Sequence, residues 1–125
     1  MDLSGFKPFD FSEGVPYLSV TQNGVTFNKA VTLKLGKPEY VQLLINAETK
    51  QVALQACAED TQRATTFYKP KKNDIFSVRW NARDLISTFQ RLLGAELGKQ
   101  GFRVDGELVD ERTMLFDLNA AKPLV

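Results

Sequence analysis

The chain has 125 residues, of which 43% are hydrophobic and 25% are charged, and these values exclude a disordered chain, a collagen-like repeat and a coiled coil. This length predicts a single domain over residues 1–125 that buries a core without disulfides or metal. Lys and Arg number 16 against 15 Asp and Glu, so any nucleic-acid binding has to come from local patches rather than from a global field.

Few features of the sequence indicate the cellular compartment of the protein. Cys57 is the only cysteine and lies between two alanines, which predicts a small buried hydrophobe in a reducing compartment. Residues 1–11 contain no apolar run of signal-peptide length, and no stretch of about 18 apolar residues occurs anywhere. We therefore expect a soluble, cytoplasmic protein without membrane association.

The N-terminal third begins with an arm. Residues 1–16 mix phenylalanines with Gly and Pro, which predicts an ordered arm pinned by its aromatic side chains. Residues 17–21 and 25–27 favour strands, and the Asn23-Gly24 pair between them is a strong turn signal. A hairpin is expected here.

A short helix and a second hairpin follow. Asn28 is expected to cap a helix over residues 29–35, which Gly36 stops. Residues 40–45 and 51–57 predict two strands around a polar turn. Residues 17–57 therefore form a strand, helix and hairpin unit.

The second half repeats this order after a polar connection over residues 58–74, whose charged end, residues 69–74, is expected to be exposed. The elements predicted there are a strand at residues 75–78, a helix at 81–93 closed by Gly94, strands at 101–109 and 113–118, and a tail at 119–125.

An internal repeat links the two halves. A shift of 58 positions aligns residues 19–36 with residues 77–94, placing Gly36 on Gly94, and three added residues then place Leu43 on Val104. This predicts a duplication of residues 17–57 in residues 75–118. The alternative is a chance alignment, because hydrophobic periodicity alone forces many apolar matches.

The first unit also resembles a known family. Val-Thr-Phe-Asn-Lys-Ala-Val-Thr-Leu-Lys-Leu-Gly from Val25 to Gly36, followed by Tyr40-Val41 and a hairpin ending Val-Ala-Leu, is similar to the swapped-hairpin AbrB/MazE family of bacterial transcription factors and antitoxins. The resemblance covers residues 19–55. It implies interlaced hairpins in a β-rich barrel that binds DNA, although Asn28 and Thr32 replace the family's proline and arginine. The predicted fold class is α+β, a β-rich domain of two strand-helix-hairpin repeats forming an AbrB-like pseudo-dimer.

The sequence contains few of the residues and motifs on which enzymes rely for catalysis. The chain has no histidine, which argues against zinc sites and serine-type triads, and no glycine-rich phosphate loop occurs. Five carboxylates surround the last hairpin, where such residues usually solvate a turn. We expect no enzyme activity, no catalytic or metal-binding residues and no cofactor.

Two surfaces are candidates for nucleic-acid binding. The first surrounds the short helix and the preceding turn and comprises Gln22, Asn23, Lys29, Lys34 and Lys37. The second combines a basic stretch with an aromatic residue and comprises Lys69, Lys71, Lys72, Arg79, Trp80, Arg83 and Arg91. Alternatively, the lysines are a solvated linker and Trp80 belongs to the core.

These features predict a non-enzymatic nucleic-acid-binding or regulatory protein whose partner is DNA or RNA. The alternative is a protein-interaction or assembly module of the kind found among phage and plasmid accessory proteins, with a protein partner or a second copy of the chain as its ligand. Exposed strand edges and swapped hairpins would serve that role.

Overall fold

The structure, a computed structural model, describes residues 2–6, 14–70, 75–94 and 100–124. Strands account for 40% and helices for 19% of it. The elements in chain order are β1 (Tyr17–Thr21), β2 (Gly24–Phe27), α1 (Lys29–Lys34), β3 (Tyr40–Asn46), β4 (Gln51–Ala56), β5 (Thr65–Thr66), β6 (Val78–Trp80), α2 (Arg83–Leu93), β7 (Phe102–Asp110), β8 (Thr113–Asp117), a 3-10 turn (Leu118–Ala120) and β9 (Lys122–Pro123).

The nine strands of the described residues form one antiparallel sheet that curls into a half-barrel. Its order is β5-β3-β4-β8-β7-β1-β2-β6, and β9 pairs with β7. The long strand β7 changes partner along its length, since Phe102 to Asp105 pair with β1 whereas Gly106 to Asp110 pair with β8. Because the curled sheet does not close into a full barrel, a gap remains between its two end strands, β5 and β6. This gap is here called the seam.

The concave face of the sheet carries the core. Side chains alternate between buried and partly exposed along β1, β4 and β8, as expected for an antiparallel sheet with one covered face. The amphipathic helix α2 contacts β1 and β2 and contributes Phe89 and Leu92 to the same buried cluster. The helix thus covers the core where β1 and β2 lie.

Most predicted elements are confirmed. The side chain of Asn28 caps α1 by accepting a hydrogen bond of 3.3 Å from the backbone N–H of Val31. Helix α2 ends at Gly94 in the left-handed conformation, with φ of 70°. All three predicted hairpins form, as β1–β2, β3–β4 and β7–β8. The predicted strand at residues 75–78 is displaced, because pairing with β2 begins only at Val78.

The predicted fold class is wrong. The protein is a mostly β, curled half-barrel with a small helical part, not an α+β pseudo-dimer of two AbrB-like units. The 58-residue shift equates β1 with β6, yet β1 lies between β2 and β7 while β6 is a sheet end. Likewise Leu43 pairs with Leu54 of its own hairpin, whereas Val104 pairs with Leu18 of β1. Apolar periodicity matched the segments, but strand pairing places them differently.

Three local predictions also need correction. Phe6, expected to pin the N-terminal arm, is 72% exposed, and Phe9 and Phe11 lie outside the described residues. Cys57 is half-buried rather than buried. Within the predicted polar connection, Phe67 and Tyr68 are buried in the core, because the chain there pairs along the edge of the sheet with residues 38–41.

Candidate nucleic-acid interface at the sheet seam

Two neighbouring cavities open along the seam. The larger has a volume of about 460 Å³ and the smaller about 250 Å³, and both are lined by Arg79 and Trp80 of β6. The other residues of the larger cavity are Leu43, Arg63, Thr65, Asn81, Ala82 and Leu85. Those of the smaller cavity are Thr66, Phe67, Tyr68, Lys69, Ile75, Ser77 and Val78. Together they form a groove between the two ends of the sheet, here called the seam groove.

Strand β6 is one wall of the seam groove. It pairs with β2, so that Val25 lies opposite Trp80. On the same pair of strands the Arg79 Nε–H donates to Thr26 Oγ1 at 3.3 Å, which orients the guanidinium. The segment leading into β6 is tied to α1, because the buried Thr32 hydroxyl donates to the carbonyl oxygen of Phe76 at 2.6 Å.

The opposite wall is β5 and the residues that follow it. Thr66 lies opposite Tyr40 of β3, and backbone pairing then continues past the short strand. The N–H of Phe67 donates to the carbonyl of Glu39 at 2.7 Å, and that of Tyr68 to Pro38 at 3.0 Å. Since the side chains of Phe67 and Tyr68 are also buried, this wall is fixed by both backbone and core.

Aromatic rings join the two walls at the floor. Trp80 packs edge-to-face on Phe27 and Phe67, with ring centroids 5.1 Å and 5.9 Å away. Phe27 in turn packs on Phe67 at 5.5 Å. Trp80 is half-buried, and its remaining surface lines both cavities. One part of the indole therefore belongs to the core, and the other part is accessible from the cavities.

The charged side chains that the structure places along the seam groove are all positive. The lining of the seam groove includes the cations Arg63, Lys69 and Arg79, all of them exposed. Among the described residues that line either cavity, none is acidic. Cations in a concave site focus the potential, so the groove attracts anions although the net charge of the chain is only +1.

The two predicted surfaces meet beside this groove. The ammonium nitrogens of Lys29 and Lys37 lie 5.5 Å and 5.3 Å from the ring centroid of Phe76. Phe76 stacks on Tyr68 at 5.7 Å with 24° between the ring planes, and Tyr68 precedes Lys69. The α1 lysines and the second surface thus adjoin through two aromatic rings. Lys34 lies half-buried in the last turn of α1.

Of the remaining predicted residues, those that the structure describes do not line either cavity. Gln22 and Asn23 form the exposed β1–β2 turn at the far end of β6 from α1, and Arg83 begins α2. Arg91 lies eight residues further along α2, a rise of about 12 Å, and is not gathered with the others. Lys71 and Lys72 lie outside the described residues.

Sequence reasoning missed Arg63, Tyr68 and Phe76. The two aromatic residues flank the charged stretch that was expected to be an exposed connection, and these flanking positions were the signal available in the sequence. In the structure the two rings stack on each other. The sequence around Arg63 contained no motif that marked it as a binding residue. It lies in a turn with φ of 61°, and only the curl of the sheet brings it to the groove.

The carboxylates of the last hairpin have a local structural role. Asp110 Oδ1 accepts a hydrogen bond of 2.8 Å from the backbone N–H of Arg112, and this bond lowers the pKa of the carboxyl below its usual value. No group of three or more His, Cys, Asp or Glu side chains able to hold a metal ion occurs in the described ranges. Within those ranges, too, every helix is too short or too polar to cross a membrane.

Comparisons with protein-family models, with curated proteins and with solved structures gave no match. The resemblance of residues 19–55 to the AbrB/MazE family is therefore neither supported nor refuted and stays a prediction.

Proposed function

We propose that this chain is a non-enzymatic nucleic-acid-binding protein and that the seam groove is its interface. The observation that carries the proposal is that Arg63, Lys69 and Arg79 line the two cavities that Trp80 also lines. Cations bind the phosphate backbone, while an aromatic surface stacks on bases regardless of sequence. We also place the protein in the cytoplasm, where the free thiol of Cys57 stays reduced.

Lysines near α1 extend the cationic surface. The contacts of Lys29 and Lys37 with Phe76 hold both ammonium groups next to the groove. If three to five cations each replace a condensed counterion, the logarithm of the affinity falls against the logarithm of salt concentration with a slope of roughly −2 to −3.5 for single strands. A slope in this range is the expected signature.

The test is fluorescence anisotropy with labelled mixed-sequence oligonucleotides, single- and double-stranded, between about 50 and 200 mM salt. The double variant Arg63→Gln, Lys69→Gln should weaken binding and flatten the slope. A matched control, Lys122→Gln with Lys50→Gln, removes the same charge from exposed positions that do not line the groove. Absence of binding at low salt, or an equal loss in both double variants, refutes the proposal.

A protein-interaction module is the second candidate, favoured by exposed apolar side chains on β3 and β7. Leu44, Ile45, Leu108 and Val109 are each between 41% and 55% exposed. Exposed apolar surface is a frequent component of protein interfaces. Light scattering on the same samples distinguishes the two functions, since a stable dimer that binds no oligonucleotide would favour this one.

A further inference from the structure

The larger cavity of the seam groove has the composition of a pocket for a flat organic ring. Its volume of about 460 Å³ lies in the range of roughly 300 to 1,000 Å³ typical of small-ligand sites. Leu43, Ala82 and Leu85 supply apolar walls beside the indole of Trp80. Such a lining with a few polar groups is the usual make-up of a ligand pocket.

Polar groups at the cavity are few and of two kinds. Asn81 offers an amide that both donates and accepts, and Thr65 offers a hydroxyl. Arg63 and Arg79 supply fixed positive charges at the same cavity. A ligand matching this set has an aromatic ring, hydrogen-bonding edges and a neighbouring anion. A nucleotide within a strand has all three.

We propose that the larger cavity receives one unpaired nucleobase, stacked on Trp80, and that the protein consequently prefers single-stranded to double-stranded nucleic acid. The inference rests on the proposed function and specifies its ligand. Arg63 and Arg79 bind the phosphates flanking this base, and Asn81 and Thr65 contact its edge.

The geometry of the groove extends the bound strand in one direction. Arg79 and Trp80 belong to both cavities, so the backbone passes over β6 from the larger into the smaller cavity, where Lys69 binds the next phosphate. Bases inside a duplex are stacked and paired, and taking one out costs free energy that a single strand does not require. Duplex binding is therefore confined to the phosphate contacts.

Trp80 is the only tryptophan in the chain, so its fluorescence reports the pocket directly. The probes are a thymidylate 12-mer, a uridylate 12-mer and a 12-mer of the same charge in which every nucleotide is abasic. We expect both base-bearing strands to quench Trp80 and to bind roughly 5- to 150-fold more tightly than the abasic strand, the range expected for one stacked base. Tighter binding of one of the two identifies DNA or RNA as the better ligand.

Substitution of Trp80 alone risks unfolding the core, so the decisive variant is Ala82→Phe. Ala82 is exposed, lines the cavity and makes no side-chain cap for α2, so a phenylalanine there occludes the pocket without disturbing the fold. Ser87→Phe, at an exposed position on α2 that does not line the cavity, is the matched control. We expect Ala82→Phe to bind the thymidylate strand as weakly as wild type binds the abasic strand, and Ser87→Phe to bind it normally.

Failure of this inference is distinct from failure of the proposed function. Equal, salt-dependent affinity for base-bearing and abasic strands, with unchanged Trp80 fluorescence, overturns the base pocket and leaves phosphate binding intact. Normal binding by Ala82→Phe does the same. Absence of any salt-dependent binding overturns both.

Discussion

The hydrogen bond between Thr32 and Phe76 connects the fold to the candidate interface. Thr32 is fully buried in α1, and its hydroxyl donates to the Phe76 carbonyl at 2.6 Å. The ring of Phe76 stacks on Tyr68 and contacts the ammonium groups of two lysines. Thr32→Val removes this donor while keeping nearly the same shape, and should destabilise the protein and weaken nucleic-acid binding together.

The expected loss follows from the setting of the bond. Leaving a buried acceptor without its donor costs about 1 to 3 kcal/mol. Because Phe76 is half-buried, we expect the lower part of that range, about 1 to 2 kcal/mol. For 125 residues the unfolding entropy is about 0.26 kcal/mol/K, so the midpoint of thermal unfolding should fall by about 4 to 8 °C.

Urea unfolding followed by Trp80 fluorescence measures the free energy of unfolding, and anisotropy measures binding. Thr32→Ser is the matched control, since it keeps the hydroxyl and loses only a methyl group. It should retain the affinity of wild type for single strands, whereas Thr32→Val should lose affinity. If valine and serine at this position give equal stability and equal affinity, the hydrogen bond does not hold the groove wall and the reasoning is refuted.

Two further predictions concern the backbone and the last hairpin. A β-carbon at Gly101 would overlap the carbonyl oxygen of Val20, whereas Gly94, at nearly the same φ, has open space around it; Gly101→Ala should therefore lower the midpoint of chemical unfolding well beyond the effect of Gly94→Ala, and equal effects would contradict the packing. Asp110 has a lowered folded-state pKa because the Arg112 N–H bonds its carboxylate, so its stabilisation is present above the unfolded pKa and is lost as pH falls through the folded value. Urea unfolding across pH should show Asp110→Asn less stable than wild type at neutral pH and equal to it in acid; a constant difference would exclude the charge as the cause.

Turns and helix ends were largely predictable, because residues close together in the sequence determine them. The Asn23-Gly24 turn, the Asn28 cap and the glycine ending α2 each act within a few residues, and all three are observed. Strand β6 was displaced in the prediction because its limits depend on pairing with β2, about 50 residues earlier in the chain. The prediction of the fold class was wrong for the same reason, since apolar periodicity indicates strands and helices but does not determine which strands pair.

The residues of the candidate site were likewise predicted only in part from the sequence. Sequence alone singled out Lys69, Arg79 and Trp80, because a basic stretch before an aromatic residue is visible without coordinates. It also placed Arg91 with them and omitted Arg63. Only the tertiary structure brought Arg63 to the groove and separated Arg91 from it, because the half-barrel curl brings the two sheet ends together while α2 carries Arg91 away. Residue chemistry is a property of the sequence, but proximity across the seam depends on contacts between distant segments.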